Sequence, residues 1–114
     1  MLASLMRLLP RIAQELEAKL SGVNGYTGYG EIELTFWHSG TREMEVELRG
    51  VAGRQAEIHL NGSQAVTVDL SNGRVDKYFD TRNGDNVPEL TIGDRVQVRQ
   101  NGDIILEGIL ELDR

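Results

Sequence analysis

From position 31 onward, apolar residues recur at every second position in short runs closed by glycine or asparagine, which is the pattern a half-buried β-strand requires. Ile32, Leu34 and Phe36 share one parity, with His38 ending the row. Met44, Val46 and Leu48 form the next row, then Ala56, Ile58 and Leu60, then Val66, Val68 and Leu70. Val75 and Phe79 flank Lys77, and Val96 with Val98 precede Ile104, Leu106, Leu110 and Leu112. Such a series predicts a mainly β fold, an antiparallel sandwich or barrel of about seven strands. A chain of 114 residues holds one such domain around a single core.

Turn chemistry constrains the pairing, because directly opposed residues of an antiparallel pair point to the same face. A two-residue turn at Asn72-Gly73 sets Leu70 against Val75 and Val66 against Phe79, so the rows agree and a tight hairpin is expected there. At Ser39-Gly40, Asn61-Gly62 and Asn101-Gly102 a two-residue loop would oppose core and polar residues, for example Phe36 and Glu43. An odd loop with a left-handed glycine bulge restores the match. Lys77 occupies an inward position, which suits either an open end of the core or an edge strand.

The first twenty-one residues read differently. Leu2, Leu5, Leu9, Ile12, Leu16 and Leu20 draw one stripe at helical spacing, widened by Met6, Leu8 and Ala13. The expectation is an N-terminal amphipathic helix over 1–21, kinked near Met6 or starting at Pro10. A Gly-rich linker over 22–30 and a β-sandwich domain over 31–114 complete the division. The stripe packs on the β domain or on its copy in a homo-oligomer, with Leu5, Leu9, Ile12, Leu16 and Leu20 as the self-association residues. Arg7 and Arg11 interrupt the apolar stretch and no basic residue precedes it, so a signal peptide is not expected and a cytoplasmic location is favoured over export. The linker's glycines follow the expected helix and precede a strand, the reverse of the order in a dinucleotide-binding loop.

Composition excludes several chemistries. With no cysteine, the chain cannot build a disulfide scaffold, a thiolate zinc site or a thiol nucleophile. A net charge of −6 opposes binding to nucleic acid, which depends on neutralising phosphates. No apolar run approaches the ~20 residues of a membrane-spanning helix, and a membrane role is not expected. His38 and His59 have opposite parities on different strands, so a shared metal or acid–base pair is not expected; no nucleophile elbow, phosphate loop or HExxH pattern is present. These absences argue for a non-enzymatic protein without a cofactor.

Two stretches carry the functional expectations. In the first, pairing of 31–38 with 42–49 turns Glu31, Glu33, Glu43, Glu45 and Glu47 to one outer face with Thr35 and Trp37. That face is either a solvated surface or a docking surface for a basic protein partner, with Trp37 as aromatic anchor and Glu33, Glu43, Glu45 and Glu47 around it. In the second, the loop from Asp80 to Pro88 offers Asp80, Asn83, Asp85 and Asn86 as oxygen ligands, which supports an alternative as a small ligand- or calcium-binding domain. Arg82 and Gly84 stand where an EF-hand loop places ligands, and local Asx turns neutralised by Arg82 account for the same residues.

The turn motifs also resemble a known group. Asn61-Gly62, Asp80-Thr-Arg-Asn-Gly-Asp-Asn-Val-Pro88, Ile92-Gly-Asp-Arg-Val-Gln-Val98 and Gly108 follow the order found in a group of small bacterial all-β domains of unknown function. The resemblance covers about residues 42–112. It implies a β-sandwich without established enzymatic activity, of a kind often found in exported or surface proteins; the helical reading of the N-terminus departs from that setting.

Overall fold

The structure, a computed structural model, describes residues 11–113. The strands are β1 (Ile12–Gly22), β2 (Tyr29–Trp37), β3 (Arg42–Arg49), β4 (Gln55–Leu60), β5 (Ser63–Asp69), β6 (Val75–Asp80), β7 (Arg95–Gln100), β8 (Asp103–Ile109) and β9 (Glu111–Leu112). They form one antiparallel sheet in the order β5-β4-β7-β8-β1-β2-β3-β6, with β9 continuing beside β1. The sheet curls into a nearly closed barrel, with nine strands where the sequence suggested about seven.

The described part of the expected helix is a strand. Glu15 to Ser21 alternates polar and apolar, so Leu16, Ala18 and Leu20 enter the core while Glu17 and Lys19 face outward. Ala, Glu, Leu and Lys favour helices locally, but β1 lies between β2 on one edge and β8 with β9 on the other, which satisfies the backbone on both sides. Tertiary pairing outweighs propensity here. Leu16 and Leu20 are therefore core residues and cannot form a self-association stripe, and Ile12 is exposed at the strand's start. Leu5 and Leu9 lie outside the described residues. Residues 23–28 form the connection from β1 to β2.

Barrel closure depends on alternating large and absent side chains in one layer. Leu20 stands opposite Gly30, Gly30 opposite Leu48, and Leu48 opposite Val75. On the other side of β1, Gly108 stands opposite Val96 and against Leu20. A Cβ on Gly30 would lie 2.5 Å from the Glu47 carbonyl oxygen, and one on Gly108 2.3 Å from that of Lys19. These two glycines let β2 and β8 close tightly around Leu20.

The turns divide into three outcomes. Between β2 and β3 the Trp37 N–H donates to the Thr41 carbonyl across a three-residue loop, with Gly40 left-handed at φ 93°, as the parity argument required. At Asn61-Gly62 and Asn101-Gly102 the odd loop is corrected: Leu60 pairs with Ser63 and Gln100 with Asp103 across two-residue turns. All four turn residues have positive φ, the geometry of a type I′ turn. A bulge inside each hairpin restores the parity instead, so that Ile58 opposes Val66 and Val98 opposes Leu106.

Asn72-Gly73 also makes a tight turn, closed by the Ser71–Arg74 bridge, but the extended hairpin expected there does not form. β5 turns away to pair with β4, and β6 to pair with β3. The two become the end strands of the sheet and face each other across the barrel's seam. Matching parity was necessary for their pairing, yet β3 and β4 offered the same match. Lys77, opposite Val46 but exposed, is an inward-parity charge on edge strand β6.

Candidate functional site

Strand register assembles an acidic outer face over β1, β2, β3 and β6. Glu17 opposes Glu33, and Glu33 opposes Glu45. In the adjoining row Lys19, Glu31, Glu47 and Asp76 stand side by side. Glu111 of β9 extends the first row beyond Glu17. The pairing expected for Glu31, Glu33, Glu43, Glu45, Glu47 and Thr35 is the observed one. What sequence reading missed is the contribution of β1 and β6, namely Glu15, Glu17, Lys19, Asp76 and Tyr78. The signal was present in the alternation of Glu15, Glu17 and Lys19, masked by the helical spacing of the leucines.

Like charges directly opposed across strands destabilise by about 0.2–1 kcal/mol per pair, less at high salt. Compensation is partial. Arg49 reaches Glu47 at 3.2 Å and Asp76 at 3.1 Å, closing one end of the face. At the centre, carboxylate oxygens of Glu17, Glu31 and Glu33 lie within 4.8 Å of one another. A hydrogen bond shared with Glu31, then burial and the neighbouring charge, raise the Glu17 carboxyl above its ordinary value of 4.5.

At the other end, side chains converge on Glu43. The Trp37 indole N–H donates to one carboxylate oxygen, and the Tyr78 hydroxyl is in hydrogen-bond contact with the other. Tyr78 also lies 3.0 Å from Asp80 Oδ2, so its single proton is shared between two acceptors. Contact with Glu43 foremost, then burial and Asp80, pushes the phenol up to about 12. Trp37 is half-buried, with its indole N–H engaged by Glu43.

The 80–88 loop is tied to itself and to the barrel. Asp80 caps a single 3₁₀ turn, Thr81–Asn83, accepting from the Arg82 backbone N–H at 2.8 Å and from Arg82 Nη2 at 2.6 Å. The Arg82 side chain foremost, against the cost of burial, lowers the Asp80 carboxyl to about 2 and in return raises the guanidinium further. Asp85 Oδ2 accepts from the Asp80 N–H at 2.9 Å, and Asn86 donates to the Ala65 carbonyl at 3.2 Å across the seam. Val87 is buried in the core. A calcium ion on Asp80 and Asp85 would have to displace these donors; Asn83 lies in the 3₁₀ turn, exposed.

The histidines occupy separate elements. His38 is exposed in the β2–β3 turn, while His59 is buried on the outer side of β4 with Nε2 2.9 Å from Glu57. Tyr26, in the β1–β2 connection, donates to Asp103 at 2.8 Å, and Tyr29 at the start of β2 is exposed. Among the described residues no helix is long and apolar enough to cross a membrane. No protein-family model matches the chain, and no curated protein is similar to it.

Proposed function

We propose that this chain is a non-enzymatic binding module that docks a basic protein partner on the outer face of β1, β2, β3 and β6. The observation that carries the reading is the direct opposition of Glu17, Glu33 and Glu45 across three neighbouring strands. A fold gains nothing from that arrangement, whereas a cationic partner relieves it and gains an aromatic contact at Trp37. Cationic side chains with long stems can lie along the sheet between the carboxylates. Association of this type is fast and steeply salt-dependent.

Titration of the full chain with a decalysine peptide, followed by Trp37 fluorescence, tests the proposal. Binding is expected at low salt and weakens as salt rises. The triple variant Glu31→Gln, Glu33→Gln, Glu45→Gln is expected to lose about tenfold in affinity or more while keeping its circular dichroism, in line with the loss of several interfacial charge contacts. Equal binding by the wild type and the triple variant would overturn the reading.

A further inference from the structure

On the other half of the barrel wall, an open depression of about 970 Å³ is lined by the 52–57 segment, by Thr67, Asp69 and Leu70 and by Arg99 to Asn101. Gln100 fixes its wall by donating from Nε2 to the Ala52 carbonyl at 2.6 Å and to that of Gln55 at 3.0 Å. Arg54 and Arg99 line this depression, and among the described residues neither forms an ion pair with a carboxylate.

Arg99 is oriented without being neutralised. Its Nε and Nη2 donate to Gln97 Oε1 at 3.2 and 2.6 Å, and Gln97 is itself buried and held by Glu107 at 2.7 Å. A neutral amide therefore fixes the fork, and Nη1 has no acceptor among the described residues. Two carboxylates, Glu57 and Asp69, line the same depression, and each has a partner other than the arginines. Glu57 stands directly across from Arg99 in the β4–β7 register but turns to His59, and Asp69 accepts from Gln55 at 3.0 Å.

We propose that this depression binds a small oxyanion, a carboxylate or phosphate group held end-on by Nη1 and the remaining Nη2 N–H of Arg99, with Arg54 at the rim. Planar guanidinium groups suit both anions because two parallel N–H donors match two oxygens. His59 acts as a positioning residue by keeping Glu57 away from Arg99.

Titration of the full chain with sodium phosphate and, separately, sodium succinate at constant ionic strength, followed by amide chemical shifts, tests the site. Saturable shifts centred on Arg99 and Gln100 are expected, and the ratio of the two affinities tells a phosphate ligand from a carboxylate. Arg99→Gln should weaken binding about tenfold, the scale of one charged hydrogen bond, and Arg99→Lys should fall between it and the wild type. Lys77→Gln, an equal charge change on β6, should leave binding within about twofold, as a rim of screened charge does. His59→Gln should weaken binding by freeing Glu57 to pair with Arg99, and adding Glu57→Gln should restore it. Shifts that never saturate, equal loss in the Lys77 and Arg99 variants, or no restoration in the double variant would overturn the proposal; circular dichroism confirms that each variant is folded.

Discussion

The two halves of the barrel wall solve the same electrostatic problem in opposite ways. Over β1, β2, β3 and β6, carboxylates face carboxylates, and the nearest cation to the centre is Lys19 in the adjoining row. Over β4, β7 and β8, amides separate the charges: Glu107, Gln97 and Arg99 form a hydrogen-bonded line, and Glu57 turns to His59. The second arrangement gives Glu107 and Glu57 local hydrogen-bond partners, while the first leaves repulsion that an external cation or a proton removes. The difference teaches that polar surface is not interchangeable. One half is arranged for its own hydrogen bonding, the other holds charge in reserve.

Both halves hang on β1, and the largest expected effect tests that dependence. Leu20→Ala should cost about 2–5 kcal/mol by opening a cavity between Gly30 and Gly108. Denaturant unfolding read by Trp37 fluorescence and by circular dichroism should shift together; separate transitions would mean that the halves unfold independently. Next, Gln97→Ala should destabilise by about 1–3 kcal/mol, because Glu107 and Arg99 lose their common partner in a partly buried place. Thermal melting checks this, and an unchanged midpoint would show that the amide line is only decorative.

Relief of the acidic face gives smaller effects of opposite sign. Glu33→Gln should stabilise by about 0.2–1 kcal/mol at low salt, and the gain should shrink as salt is added. If the variant is less stable than the wild type at every salt concentration, the face is not under repulsion.

Acid should separate two carboxylates within the acidic half. Glu17 holds its proton more tightly folded than unfolded, so its contribution is fully present below 4.5 and is lost as pH rises through the raised folded value. Asp80 behaves in the reverse sense: its contribution is present above 3.8 and is lost as pH falls through about 2. Urea midpoints measured from pH 7 to 2 should therefore show the Glu17→Gln variant gaining least over the wild type in acid, and the Asp80→Asn variant losing most near neutrality.

Much of the β architecture was legible in the residues. The rows Ile32, Leu34 and Met44, Val46 gave the β2–β3 register, and hence the placement of Glu31, Glu33, Glu45 and Glu47, because both strands and their turn lie within one short segment. Asn61-Gly62 and Asn101-Gly102 were legible as turns, but not the site of the compensating bulge. Parity requires one extra residue and does not say whether the loop or the strand holds it.

What the residues did not disclose was the choice of distant partners. Leu16 and Leu20 fit a helical stripe and a strand row equally well, and only the free edges of β2 and β8 decide between them. The acidic face is for the same reason larger than the hairpin that announced it, and the Arg99 depression was hidden because Arg54, Arg99 and Gln97 come from segments whose neighbours are set by folding.

The sequence by itself determined the period of two, the positions of the turns and the inward or outward parity of β2 to β7, since each follows from the alternation of a few adjacent residues; in the last strands Ile105 is buried and Leu112 exposed, against the expected row. Only the tertiary structure decided that β1 is a strand, that β5 and β6 part at Asn72-Gly73, and that Glu17 joins Glu33. Those outcomes depend on which backbone edges remain unpaired after the local hairpins form, and an unpaired edge is a property of the assembled sheet.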